Sequence, residues 1–374
     1  MECVTPATCP GQDDECQQRT CENNTCGVAF AAAGTPVSMQ TAGDCQEAQC
    51  DGAGGVTSAE DNADIPADSS PCTADLCTAG VPSNPAQPVG TPCGQGGVCD
   101  AAGACAPAAV SSVDYPVIAH GARLVITGVG FTGTISVTVG GIAQSAVINS
   151  DTQLTVAALG DATPTGVQPL VVTKSTGSTT PFNVTVVRLQ ISELDSDTPN
   201  GDAFEFIEIS TGVPGVSLAG YTLVFWNGAG DHSYTARQLN AQTNANGMLV
   251  IGSSQVMPSP ALTFIPGLLQ DGADAVGIYQ ALPAAFPLNT PVTAAGLIDA
   301  LVYGAVSAED QELLNALIST AVLSPARKQV DEAAAGSSPT HSIQRCANGR
   351  RHGGRFAVGT PPTPGAANTV MPCP

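Results

Sequence analysis

Twelve of the fourteen cysteines in this 374-residue chain stand before residue 106, and that crowding limits what the first third can become. Cys3, Cys9, Cys16, Cys21, Cys26, Cys45, Cys50, Cys72, Cys77, Cys93, Cys99 and Cys105 share a stretch whose single aromatic residue is Phe30. Side chains so small and polar bury too little apolar area to offset the entropy of ordering, so cross-links or a metal must hold the region. Zinc sites draw on CxxC pairs or histidines; the stretch has neither, and the first histidine of the chain is His120. The twelve are therefore expected to pair among themselves as disulfides, in an oxidising compartment. Spacing alone leaves about ten thousand pairings open. Repetition is visible: a five-residue step recurs at 16–21–26, 45–50 and 72–77, GTPV at 34–37 returns as GTPC at 90–93, and CDGAGG at 50–55 as CDAAGA at 99–104.

Oxidation implies export, to a secreted or cell-surface location. No apolar signal segment precedes Cys3 and no run of 18 apolar residues occurs, so an export signal is expected to have been removed or truncated. The formal charge of -21 is carried by the two ends: residues 1–109 hold fourteen acids against Arg19 alone, and residues 188–374 hold fifteen acids against eight bases. Phosphate neutralisation needs a basic face, which argues against a nucleic-acid partner.

The remaining texture is all-β. Gly and Pro together number 70 while charged residues make up only 11%, which suits short strands joined by tight turns. After a linker at 106–112, the segments GARLVITGVGF, ISVTVGG, AVINSDTQLTV and TGVQPLVVT alternate as strands of a small β-sandwich over 113–187. GVGFTG at 128–133 lacks the Gly-Lys-Ser/Thr of a phosphate loop and is followed by a strand, so it reads as a turn. A second sandwich is expected over 188–374, built from RLQISELD, EFIEIS, SLAGYTLVFWNG, GMLVIG, LLQDGADAVGIYQ and GLIDALVYG. One short helix interrupts it, with Ser307 and Asp310 as a capping box and Leu313, Leu314, Leu317 and Ile318 on one face. The expected architecture is thus two immunoglobulin-like β-sandwiches in tandem after a disulfide-rich region of low secondary structure at 1–107. Cys346 and Cys373 are expected to pair and pin the proline-rich tail.

Three resemblances attach to these segments. CPGQDDECQQRTCENNTCGV and AGDCQEAQCDGAGG resemble the cysteine-rich repeats of myxobacterial surface proteins, which implies an extracellular spacer. The ordered motifs of 115–187 resemble the IPT/TIG domain, an immunoglobulin-like module. ISELD, EFIEI, LAGYTLVFWNG, LLQDGADAVGIY, LIDALVYG and PTPGAAN are similar to the lamin-tail domain of secreted bacterial proteins, which implies another immunoglobulin-like sandwich, one that attaches or positions its fusion partners.

Chemistry concentrates in the turn after ISELD. Asp195, Asp197, Asn200, Asp202 and Glu205 could cage calcium, a hard ion that takes carboxylate and carbonyl oxygens, although the glycine, Gly201, comes one position late for a calcium loop. The plainer reading is a solubilising turn formed by Pro199 and Asn200-Gly201, its acids facing water. Glu205 and Glu208 are an odd number of residues apart and would face opposite sides of one strand, which disfavours a glycosidase pair. His120, His232, His341 and His352 lie in no catalytic motif. The run Arg345 to Arg355 could bind an anion or simply be a solvated loop, and Trp226 reads as a core anchor before a sugar platform.

The sequence therefore points to a non-catalytic extracellular protein that attaches to a protein, polysaccharide or cell-envelope partner, with no cofactor except, on the cage reading, calcium. The alternatives are a metal-dependent extracellular hydrolase using the hairpin acids, or the attachment part of a larger secreted enzyme.

Overall fold

The computed structural model describes residues 2–94, 97–175, 177–304, 308–318, 328–335, 340–347, 349, 351–352, 355–359 and 361–369. It is all-β and divides into two compact units, Met1–Ala108 and Ala109–Pro374. Among the described residues no helix is long and apolar enough to cross a membrane.

The first unit is a row of two-stranded ribbons: β1 (Gln17–Glu22) with β2 (Thr25–Phe30), β3 (Gln46–Cys50) with β4 (Val56–Glu60), β5 (Leu76–Thr78) with β6 (Val81–Ser83), and β7 (Val98–Cys99) with β8 (Cys105–Ala106). Its buried apolar residues are seven cysteines and Val98, so the core is the cross-links themselves. They follow a stitch. In each five- or six-residue step the earlier cysteine bonds the later cysteine of the next step, giving Cys16–Cys50, Cys45–Cys77 and Cys72–Cys99, and Cys93–Cys105 closes the row. Cys3–Cys21 and Cys9–Cys26 tie the leading segment to the first ribbon. The sequence echoes are structural copies: Asp51 Oδ1 accepts the N–H of Ala53 and Gly55, as Asp100 Oδ1 accepts those of Ala102 and Ala104. Each Asp thus closes its turn by mimicking a backbone carbonyl.

The second unit starts with β9 (Ala109–Val113), β10 (Val117–Ala119), β11 (Leu124–Val129), β12 (Thr134–Val139), β13 (Ile142–Gln144), β14 (Ala146–Ser150), β15 (Gln153–Val156), β16 (Gly166–Lys174), β17 (Gly177–Ser178) and β18 (Phe182–Val187). One sheet runs β10-β18-β16-β12-β13, with β17 on β16, and the facing sheet β14-β15-β11-β9. Alternation places Leu124, Ile126, Val137, Val139, Leu170 and Val172 between them, all buried. Gly128 is required, because a Cβ there would lie 2.1 Å from the Ala109 carbonyl. The glycine turn that follows is a structural one: Asp151 accepts the N–H of Gly130 and of Thr132 through its two carboxylate oxygens, filling the amides that a phosphate would need.

The second sandwich comprises β19 (Gln190–Asp195), β20 (Phe206–Ser210), β21 (Thr222–Asn227), β22 (His232–Gln238), β23 (Met248–Gly252), β24 (Leu262–Thr263), β25 (Asp274–Tyr279), β26 (Leu297–Gly304), β27 (Val330–Asp331), β28 (Ser342–Arg345) and β29 (Phe356–Gly359). Its sheets run β24-β23-β20-β19-β28-β29 and β22-β21-β25-β26-β27. No sheet spans the two sandwiches, yet one apolar cluster runs through both, from Ile118 and Leu124 to Leu223 and Ile278. The junction is also hydrogen-bonded. Gln280 receives the N–H of Arg123 and donates to its carbonyl, both at 2.7 Å.

Strand β26 is buried along its whole length because it is covered twice, by the facing sheet and by the helix Gln311–Leu317. The helix sets Leu313, Leu314 and Leu317 against Val224, Trp226 and Val302 on the sheet's outer face. It spans seven residues, and its N-cap is Asp310, whose side chain accepts the N–H of Glu312 and Leu313; Ser307, the other member of the expected capping box, lies outside the described residues. An Asp one residue ahead of the helix satisfies two of the four orphan amides without a reciprocal partner. Cys346 is buried and disulfide-bonded, while its expected partner Cys373 lies outside the described residues.

Candidate functional site

Strands β19 and β20 pair antiparallel, with Ile191 opposite Ile209 and Asp195 opposite Phe206. Ile191, Leu194, Ile207 and Ile209 enter the core between the sheets, which leaves Glu193, Asp195 and Glu208 on the outer face. Of the acids that the solubilising-turn reading set facing water, Asp195 is 5% exposed and Glu205 fully buried, while Asp197 and Asp202 are half-buried; Glu193 and Glu208 on the strands are fully buried.

What covers them is the end of the chain. Thr363 donates its N–H and its hydroxyl to the two carboxylate oxygens of Glu193 at 2.9 and 2.8 Å, Gly365 donates its N–H to Glu208 at 2.6 Å, and Asn368 donates to the Ser192 and Arg345 carbonyls. Gln344 adds a further donor to Glu193. The PTPGAAN segment is therefore a strap of backbone and side-chain donors laid across an acidic sheet face, which explains why a buried carboxylate face is tolerable inside the fold. Burial still pushes Glu208 up to about 8 against the Gly365 hydrogen bond.

The turn is made by Asn200, Gly201 and Asp202, three successive left-handed residues (φ 64°, 70° and 60°). Asp202 Oδ1 accepts the Thr198 N–H and Thr198 Oγ1 accepts that of Phe204. The five predicted ligands diverge from here. Asn200 is exposed, Asp197 is half-buried, and Glu205 turns to the N–H groups of Gly267 and Leu268; burial raises its carboxyl to about 8. Among the described residues, the groups of three His, Cys, Asp or Glu whose ligand atoms lie close enough to share an ion are cysteines, and these are in disulfides.

Asp195 meets a residue that sequence spacing does not indicate. Glu332, fully buried, accepts the Ser196 N–H and hydroxyl and the Asp197 N–H on Oε2. Its Oε1 and Asp195 Oδ1 are buried with no donor among the described residues. Burial, then the neighbouring Glu332 carboxyl, raises Asp195, and burial raises Glu332, so the pair retains a proton that separate acids would lose.

Beside this turn opens a groove of about 410 Å³, with Phe206 and Val256 buried and Phe204 and Met257 exposed along it; Asp195, Thr198, Gln255, Pro362 and Pro364 complete its lining. Phe204 is 39% exposed. It was not singled out from sequence, since one aromatic in an acidic turn carries no periodic signal.

Three other marked residues, Trp226, Arg345 and His120, are buried. Trp226 is fully buried, edge-on to Tyr279 and Phe286. Arg345 is buried and ion-paired with Asp299, which also accepts the N–H of Ile191 and His352. His120 is buried with Nε2 2.8 Å from the Thr163 carbonyl, and burial lowers its pKa.

No protein-family model and no curated protein matches the sequence. Solved structures to which the chain is similar include SGBP-B of the mixed-linkage glucan utilization locus of Bacteroides ovatus, in complex with a mixed-linkage heptasaccharide (16% identity, 38% of this chain and 44% of that one, TM-score 0.20). SGBP-B from a xyloglucan utilization locus of Bacteroides uniformis gives 10% identity over 56% of this chain and 58% of that one, TM-score 0.21. A DUF4876 family protein of Bacteroides thetaiotaomicron gives 10% over 63% and 79%, TM-score 0.27. The chain spans less than two-thirds of the length of either SGBP-B.

Proposed function

We propose that this is a non-catalytic extracellular binding protein whose second sandwich receives a polysaccharide strand in the groove beside the Thr198–Phe206 turn. The observation that carries the reading is the groove's mixed wall: Phe204 and Met257 exposed along it, with the polar residues Asp195, Thr198 and Gln255 in the same lining, of which Gln255 is exposed. A sugar ring offers an apolar C–H face to an aromatic ring and hydroxyls to such polar edges. Six disulfides in the first unit support an extracellular setting for it. The family assignment within this reading is an IPT/TIG-like first sandwich and a lamin-tail-like second one, supported by ISELD, EFIEI, LVFWN, DAVGIY and LIDALVYG falling in order on β19, β20, β21, β25 and β26. Titration of neutral β-glucans should show saturable binding that Phe204→Ala weakens at least about tenfold, with the fold intact by circular dichroism. Indifference of that variant, or mutation-sensitive turnover on hydrolase substrates, would overturn the reading.

A second reading concerns the carboxyl pair. Two orphaned oxygens, Asp195 Oδ1 and Glu332 Oε1, would suit a divalent cation such as calcium in place of the shared proton. Calcium should then raise the melting temperature of the wild type and not of Glu332→Gln, and equal shifts would dismiss the ion.

A further inference from the structure

A second pocket, of about 330 Å³, lies at the junction of the two sandwiches, with His120 and Asp161 from the first, Arg188 from the connecting segment, Gln190 from the start of β19, and Arg351 from the loop after β28. Its polar groups are donors in search of an acceptor. Arg188 is exposed, and its guanidinium has no ion-pair or hydrogen-bond partner among the described residues. Gln190 is 7% exposed, and its amide likewise has no partner among the described residues although it lines the pocket. Arg351 is bound to Asp161 at 2.8 Å and to the Ile298 carbonyl at 3.3 Å, and its Nε–H is buried with no acceptor among the described residues. The Arg351 guanidinium can sit here because residue 121 is glycine: a Cβ would come within 2.3 Å of it.

Two guanidiniums against one carboxylate leave the pocket with an excess positive charge on a chain of net charge -21. An arginine fork is matched in plane and spacing to a carboxylate. His120, whose Nε2 donates to Thr163, keeps Nδ1 as an acceptor. A carboxylate flanked by hydroxyl groups therefore suits this lining: the carboxylate takes Arg188 and the Gln190 amide beside the Arg351 guanidinium, and a neighbouring hydroxyl donates to the imidazole.

We propose that this junction pocket binds the carboxylate of an acidic sugar, a uronate unit of an extracellular polysaccharide. The pocket extends the polysaccharide reading to a charged ligand and rests on residues other than those of the Phe204 groove, so the two stand or fall separately. The test is calorimetric titration of the full chain with an oligogalacturonate, with sodium sulfate as a separate arm. The oligogalacturonate should bind, weaken with added salt, and lose about tenfold or more in affinity in Arg188→Gln, an exposed position where folding is not at stake; Phe204→Ala should bind it as the wild type does. No binding to the wild type, or equal binding to Arg188→Gln, overturns the site. Sulfate binding as tight as the oligosaccharide's overturns the sugar assignment.

Discussion

The Tyr221 hydroxyl of the second sandwich accepts the backbone N–H of Ala119 in the first at 2.8 Å and donates to the Val117 carbonyl at 3.3 Å. Strand β10 is thereby held by a side chain 102 residues further along, with the Tyr115 ring 6.0 Å from that of Tyr221. Tyr221→Phe keeps the packing and orphans a buried amide, which should destabilise the second unit by about 1–3 kcal/mol. Urea unfolding measures this, and an unchanged midpoint would show that the junction is held by apolar contact alone.

The buried Asp299–Arg345 pair joins β26 to β28 across the sandwich, and Asp299 also holds the Ile191 and His352 amides. Asp299→Ala removes one charge and strands the other, so the loss should be about 3–5 kcal/mol. A calorimetric melting point within a few degrees of the wild type would contradict this accounting.

Glu208 sets a pH dependence. Its folded pKa, about 8, stands above its ordinary value of 4.5 because of burial, so across that window the folded state holds a proton that the unfolded state has lost. Its contribution to stability is full below about 4.5 and declines as pH rises towards about 8. Glu208→Gln, which still accepts the Gly365 N–H, should flatten the decline and be more stable than the wild type at about pH 9. Denaturant midpoints at several pH values decide it, and parallel profiles would exclude the effect.

In the first unit, replacing Cys45 and Cys77 together by serine opens one stitch. The expected loss is about 2–4 kcal/mol confined to that unit, because its apolar core is otherwise Val98 and the remaining cysteines. Scanning calorimetry should show the transition of 109–374 unmoved; a shift of both transitions would mean that the units unfold together.

The sequence by itself determined the classes of interaction. Cysteines crowded among small residues required disulfides, strand alternation required all-β sandwiches, and Asn200-Gly201 required a left-handed turn, because each follows from local covalent chemistry or backbone sterics. What only the tertiary structure decided is which distant groups meet. The stitch of Cys16 to Cys50 rather than Cys21, the fate of Glu193 and Glu208 under the terminal strap, the facing of Asp195 by Glu332, and the gathering of His120, Arg188, Gln190 and Arg351 all join residues far apart in the chain. Alternation told which residues share a face of β19 but not whether that face meets water. Once Thr363 and Gly365 lay across it, Glu193 and Glu208 became buried acceptors of the strap's hydrogen bonds, at the centre of the candidate site.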